Sequence, residues 1–114
     1  MILNLDYTQR LNLVAILDTV ECQGRREAHA ICKLQDTIDL SDKEKESIGY
    51  RKDRAADGRE YVMWANTNGL HAREFIFADA DSKRITSALD NYKVILARDK
   101  TWWLPLVAQI PEEA

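Results

Sequence analysis

The residues with the most reactive side chains are few. His29 and Cys32 stand three apart, with Asp36 four further on, so all three share one face if the segment is helical. Cys22 and His71 would have to complete a tetrahedral zinc site. There is no C-x-x-C and no H-x-x-x-H, so no ligand pair comes with its spacing already set. A catalytic thiolate needs a neighbouring cation or a helix start to lower its pKa. Cys22 lies between Glu21 and Gln23 near a helix end, and Cys32 lies inside a helix, so neither has that setting. Asp79 and Asp81 suit a helix N-terminus better than a cation site. The chain has no glycine-rich phosphate loop and no G-x-S-x-G. The expectation is therefore no metal, no cofactor, no disulfide and no catalytic residue. An enzyme of unknown class ranks third among the readings.

Two other groups can make contacts. Arg51, Lys52, Arg54 and Arg59 bracket a turn at Ala55-Ala56-Asp57-Gly58. In a winged-helix domain a basic hairpin of this kind grips phosphates while the preceding helix reads the major groove. Here the preceding stretch, Ser41 to Ile48, has three acids against two lysines and no Arg, Asn or Gln for base edges. Asp53, Asp57 and Glu60 also interleave with the cations. The second group is Trp102, Trp103, Leu104, Leu106, Val107 and Ile110. One face of a short helix cannot hide so much apolar area. The excess must be exposed, covered by Ile2-Leu3-Leu5, or covered by another chain. Trp102, Trp103, Leu106 and Ile110 are thus the candidate association surface, because Trp is enriched where binding energy concentrates.

The elements that position these groups follow from periodicity. Ile85, Ala88, Leu89, Tyr92 and Leu96 predict one long helix, Asp79 to Arg98, at the centre of the core. Asp6 or Thr8 caps a first helix to about Val20, apolar over a wide arc and so buried on more than one side. Gly24 suits its left-handed close. A second helix runs from about Arg25 to Thr37 and pairs with the first as a hairpin. Ser41 and Glu44 form a capping box for a short helix that Gly49 ends. The period then changes to two. Segments at 51–55, Arg59–Trp64 and Arg73–Ala78 predict a small antiparallel meander. Asp79 or Asp81 caps the long helix, and Thr101 caps a short last one with Pro105 near its first turn.

A chain of 114 residues, 46% hydrophobic and 31% charged, has the length of one domain with a modest core, spanning 1–114. A net charge of −3 offers no global attraction to nucleic acid or anionic lipid. No apolar run approaches the length of a membrane span, and the start lacks the basic region of a signal peptide. These features predict a cytoplasmic α+β protein: helical hairpin, short capped helix, β-meander, long helix and short terminal helix, with a winged-helix-like arrangement as one form it can take.

The order α-α-short α-β-β-(β)-α-α resembles that of a group of small phage- and prophage-encoded proteins. The strings that carry the resemblance are Tyr7-Thr8-Gln9-Arg10-Leu11-Asn12-Leu13, Leu40-Ser41-Asp42-Lys43-Glu44-Lys45, the hairpin ending at Trp64, and the long helix leading into Thr101. That group shows an ERL-x-LL opening, an LSFSEEE helix start and an L-T-E-E-H last helix. Here Ser41-Asp42-Lys43-Glu44 keeps the cap without the acidic run, and Trp102-Trp103 replaces the polar pair. The resemblance implies a viral gene working inside a host cell, and no particular reaction. The leading expectation is a module that binds protein, either a host protein or a second copy as a homodimer. The alternative is a winged-helix-like nucleic-acid binder.

Overall fold

A computed structural model describes residues 1–65, 71–92 and 99–110. The chain begins with a strand, β1 (Ile2–Leu5), in which Leu3 and Leu5 face inward while Ile2 and Asn4 face out. Asp6 then caps α1 (Tyr7–Leu17). The Gln9 N–H donates to Asp6 Oδ1 at 2.8 Å, and the Asp6 N–H donates back to Gln9 Oε1 at 3.0 Å. This reciprocal box satisfies two amides that a helix start leaves without partners. Buried residues run consecutively from Thr8 to Leu11 and continue with Leu13, Ile16 and Leu17, so α1 is covered on more than one side, as its wide apolar arc predicts.

Helix α2 (Gly24–Ile38) buries a single stripe, Ile31, Leu34 and Ile38. Gly24 has φ +86° but opens α2 instead of closing α1. The first helix has already ended at Leu17, through a tight turn in which the Thr19 and Val20 amides donate to Ile16 and Leu17. Helix α3 (Asp42–Ser47) carries the expected box. The Glu44 N–H donates to Ser41 Oγ at 3.2 Å, and the Ser41 N–H donates to Glu44 Oε1 at 2.9 Å. Ser41→Ala should lower stability by about 1 kcal/mol, read from a urea midpoint, whereas Ser47→Ala on the same helix should cost less.

The strands depart from the predicted meander. β2 (Arg51–Arg54) and β3 (Glu60–Met63) form a hairpin by themselves. β4 (Arg73–Ile76) pairs antiparallel with β1, setting Ile2 against Ile76 and Leu3 against Phe75. Burial explains the choice. β4 must hide Phe75, with Phe77 just beyond it, and β1 supplies Leu3 and Leu5 on the same inner face. The hairpin strand Arg51-Lys52-Asp53-Arg54 has no apolar face to share.

Helix α4 (Asp79–Asn91) places Ile85, Ala88 and Leu89 in the core, as its stripe predicts. Its N-cap is Ala78, without a side-chain cap, so neither Asp79 nor Asp81 caps it. Asp81 instead accepts from Arg84 Nη1 at 2.8 Å one turn on. Tyr92 is extended, which closes the helix at Asn91. The predicted remainder to Arg98, with Leu96, falls on 93–98 and lies outside the described residues. Helix α5 (Lys100–Val107) starts after Asp99, so Thr101 lies inside it, and Pro105 sits well within the helix. A proline there forfeits a backbone bond. Packing holds the helix regardless, because Trp102 and Leu106 are both buried against β1 and α1 residues in one cluster.

Candidate interaction surfaces

Arg10 organises the side of the molecule from which the β2–β3 hairpin projects. It sits on α1 with 2% of its surface exposed. Its Nε donates to the Ile38 carbonyl at 2.8 Å, and Nη2 donates to the Asp39 carbonyl at 2.8 Å. Nη1 meets Glu44 Oε2 at 2.9 Å. One guanidinium thus ties the end of α2 to α3, and it lies over the rings of Tyr7 and Phe75. Burial alone would raise the Glu44 carboxyl pKa. The Ser41 amide and the Arg10 guanidinium outweigh it and hold the group at about 2. Tyr7 moves the other way: burial and the neighbouring Glu44 charge raise its hydroxyl pKa.

A pH dependence follows. A carboxylate depressed in the folded state stabilises the fold fully above its ordinary value of 4.5, and that contribution fades as pH falls toward about 2. Unfolding free energy measured by urea titration from pH 6 to pH 2 should fall along this limb. Glu44→Gln should be less stable at pH 6 and show a flatter acid limb. An unchanged slope in the variant would exclude the pairing as its source.

From this anchored α3 the chain enters the hairpin. Leu11, Leu40 and Ile48 form a small second core, with Tyr7, Tyr50 and Trp64 packed on it. The Tyr50 and Trp64 rings stack with centroids 6.4 Å apart at the root of the hairpin. Beyond them every strand residue is exposed on both faces. Register puts Arg51, Asp53, Tyr61 and Met63 on one face, and Lys52, Arg54, Glu60 and Val62 on the other. Gly58, at φ +87°, makes the turn. Two of the four predicted cations are matched by acids: Arg54 meets Glu60 at 3.3 Å and Arg59 meets Asp57 at 3.5 Å. Arg51 reaches Met63 Sδ across the ladder at 3.7 Å. The hairpin therefore presents mixed charge around three exposed large apolar residues, Tyr61, Val62 and Met63.

The C-terminal aromatic group is placed differently. Trp102 and Leu106 are buried, and Trp103 and Ile110 are half-buried against the same core. The N-terminal segment provides the cover, one of the three ways the excess apolar area could be satisfied. Leu3 and Leu5 join the cluster of Trp102 and Leu106, Gln9 Nε2 donates to the Trp102 carbonyl at 3.2 Å, and Gln109 is bonded to Asn4. What this segment leaves open to contact is Leu104, 54% exposed.

The reactive side chains do not converge. His29 and Cys32 are exposed on α2, Cys22 is half-buried with its thiol donating to Val20, and His71 stacks on Tyr7 at 4.7 Å. Both cysteines are free. Among the described residues no group of three His, Cys, Asp or Glu is placed to hold a metal ion. An open groove of about 1000 Å³ runs between α2 and α4, with Val20, Ile31, Ala88 and Tyr92 among its lining residues. Its strongest cation is already engaged: Arg84 donates to both Glu27 oxygens, at 2.8 and 3.3 Å, and to Asp81. The bond from Arg84 lowers the Glu27 pKa, and the bonds to Glu27 and Asp81 raise that of Arg84.

Among the described residues no helix is long and apolar enough to cross a membrane. Compared with known proteins, the chain matches no family model, no curated protein and no solved structure.

Proposed function

We propose that this chain is a small protein-binding module that works inside a cell and presents the β2–β3 hairpin as its contact arm. The observation that carries the reading is the hairpin itself. A two-stranded ribbon exposed on both faces is marginal in water, yet this one holds Tyr61, Val62 and Met63 in the open. Those side chains suit a partner that covers them, and the flanking mixed charges suit the polar rim of a protein interface. The sequence resemblance to small phage-encoded proteins makes a host protein, bound and modulated, the partner class we favour.

Nucleic-acid binding is the competing reading, and the cations of the hairpin are what favour it. Against it, acids engage Arg54 and Arg59, and α3 carries Asp42, Glu44 and Glu46 where a reading helix would stand. We expect no tight binding to a defined duplex in a salt-dependent titration. Strong binding that weakens steeply with salt would reverse the ranking.

The test uses a hairpin variant, Tyr61→Ser, Val62→Ser and Met63→Ser together, checked for folding by circular dichroism. A protein retained from host lysate by the native chain and lost by the variant supports the arm. Equal retention by both chains, or retention of nothing, overturns it.

A further inference from the structure

Among the described residues, the second sheet is closed at Asn4 on its β1 edge and open along its β4 edge. Met1 and Phe77 exchange both backbone bonds: the Met1 amino group donates to the Phe77 carbonyl at 2.9 Å, and the Phe77 N–H donates to the Met1 carbonyl at 2.8 Å. In an antiparallel ladder this parity also turns the backbone groups of Phe75 toward β1, and those of Glu74 and Ile76 toward the opposite edge. On β1 the same parity sends Asn4 outward. There the Gln109 amide closes the edge, accepting from the Asn4 N–H at 2.6 Å and donating to its carbonyl at 2.9 Å. Among the described residues no strand pairs with β4 on its outer side. Ile76 is 76% exposed there, and its cross-strand partner Ile2 is 55% exposed.

We propose that two copies of this chain pair antiparallel through β4, about a two-fold axis at Ile76. In this register Ile76 opposes Ile76 of the second copy, and an apolar row runs Ile2, Ile76, Ile76, Ile2 across four strands. Charge complementarity selects the same register. The ladder ends one residue short of Asp79, the first residue of α4, and so brings Arg73 near Asp79 of the other copy, twice by symmetry. Arg73 lies over the Phe75 ring at 4.4 Å, is exposed, and meets no carboxylate at ion-pair distance among the described residues. Asp79 is exposed at the start of α4. An axis at Glu74 would oppose two carboxylates, and an axis at Phe75 would set Ile76 against Glu74.

The ladder is short. Ile76 exchanges both bonds with its copy, and the Ala78 N–H reaches the Glu74 carbonyl. The Ala78 carbonyl already accepts from the Ser82 N–H and hydroxyl, at 2.9 and 3.0 Å, so pairing stops there. So small a contact predicts a weak, concentration-dependent dimer with two opposed strands and no third partner.

Sedimentation equilibrium from micromolar to millimolar protein tests this. The native chain should pass from monomer to dimer. Ile76→Lys should remain monomeric with an unchanged circular dichroism spectrum. Arg73→Asp and Asp79→Arg should each weaken association at least tenfold, and the double exchange should restore it. The hairpin variant should dimerise like the native chain, which separates this contact from the arm. A native chain that stays monomeric throughout, a dimer that survives Ile76→Lys, a double exchange that fails to restore it, or a dimer lost in the hairpin variant would each overturn the proposal.

Discussion

Arg10→Ala is expected to lower the unfolding free energy by about 3–5 kcal/mol, the range for removing one partner of a buried charge pair. The loss has three parts. The buried Ile38 carbonyl and the part-buried Asp39 carbonyl lose their donors, and the buried one left without a partner is costly. Glu44 loses its counter-charge, although its side chain keeps 25% exposure and so recovers some solvation. The rings of Tyr7 and Phe75 lose a flat cation that packs over them. Arg10→Lys should recover only part of the loss, because a single ammonium cannot serve acceptors spread along a guanidinium fork. Urea titrations of both variants measure this. A cost below about 1 kcal/mol for Arg10→Ala would show that the end of α2 and α3 are held by other contacts.

Leu89→Ala should cost about 2–5 kcal/mol by emptying space at the centre of the main core. Leu89 is 5% exposed on α4 and shares its cluster with Ile85, Phe75 and Trp102. Leu104→Ala is the matched control: the same truncation at a 54% exposed position should change stability by no more than about 0.5 kcal/mol. Thermal or urea unfolding of the pair separates burial from helix propensity, since alanine is the better helix former at both sites. Equal costs at the two positions would contradict the placement of α4.

These two residues also mark how much of the fold the sequence reveals. Leu89 is legible because helical spacing repeats locally: Ile85, Ala88 and Leu89 announce their face within a few positions. The Ser41–Glu44 box is legible for the same reason, and so is the Asp57-Gly58 turn. Arg10 is not legible. Nothing near it in the chain says that it will be buried, because its partners are carbonyls at the far end of another helix. Strand β1 is hidden for a related reason. Ile2-Leu3-Asn4-Leu5 alternates over only four residues, and its partner β4 comes from the other half of the chain. With β1 unseen, β4 falls to the hairpin by default, which produces the meander that the structure replaces.

The candidate surfaces divide along the same line. The hairpin and its cations can be read locally, because alternation and the glycine turn lie within one stretch. The C-terminal group cannot, because whether Trp102 and Leu106 are free depends on what the N-terminus does. Once β1 covers them, the large apolar residues left exposed among the described residues are Leu104 on α5, Tyr61, Val62 and Met63 on the hairpin, and Ile2 and Ile76 on the second sheet.

The most direct test of the hairpin as a binding arm is site-specific photo-crosslinking in living cells that express the chain. A photoreactive residue replaces Val62 on the exposed ribbon, and a control carries it at Asp36 on the exposed face of α2. Binding through the arm predicts one discrete protein adduct from position 62 and none from position 36. No adduct from position 62, the same adducts from both positions, or an adduct to nucleic acid would contradict it.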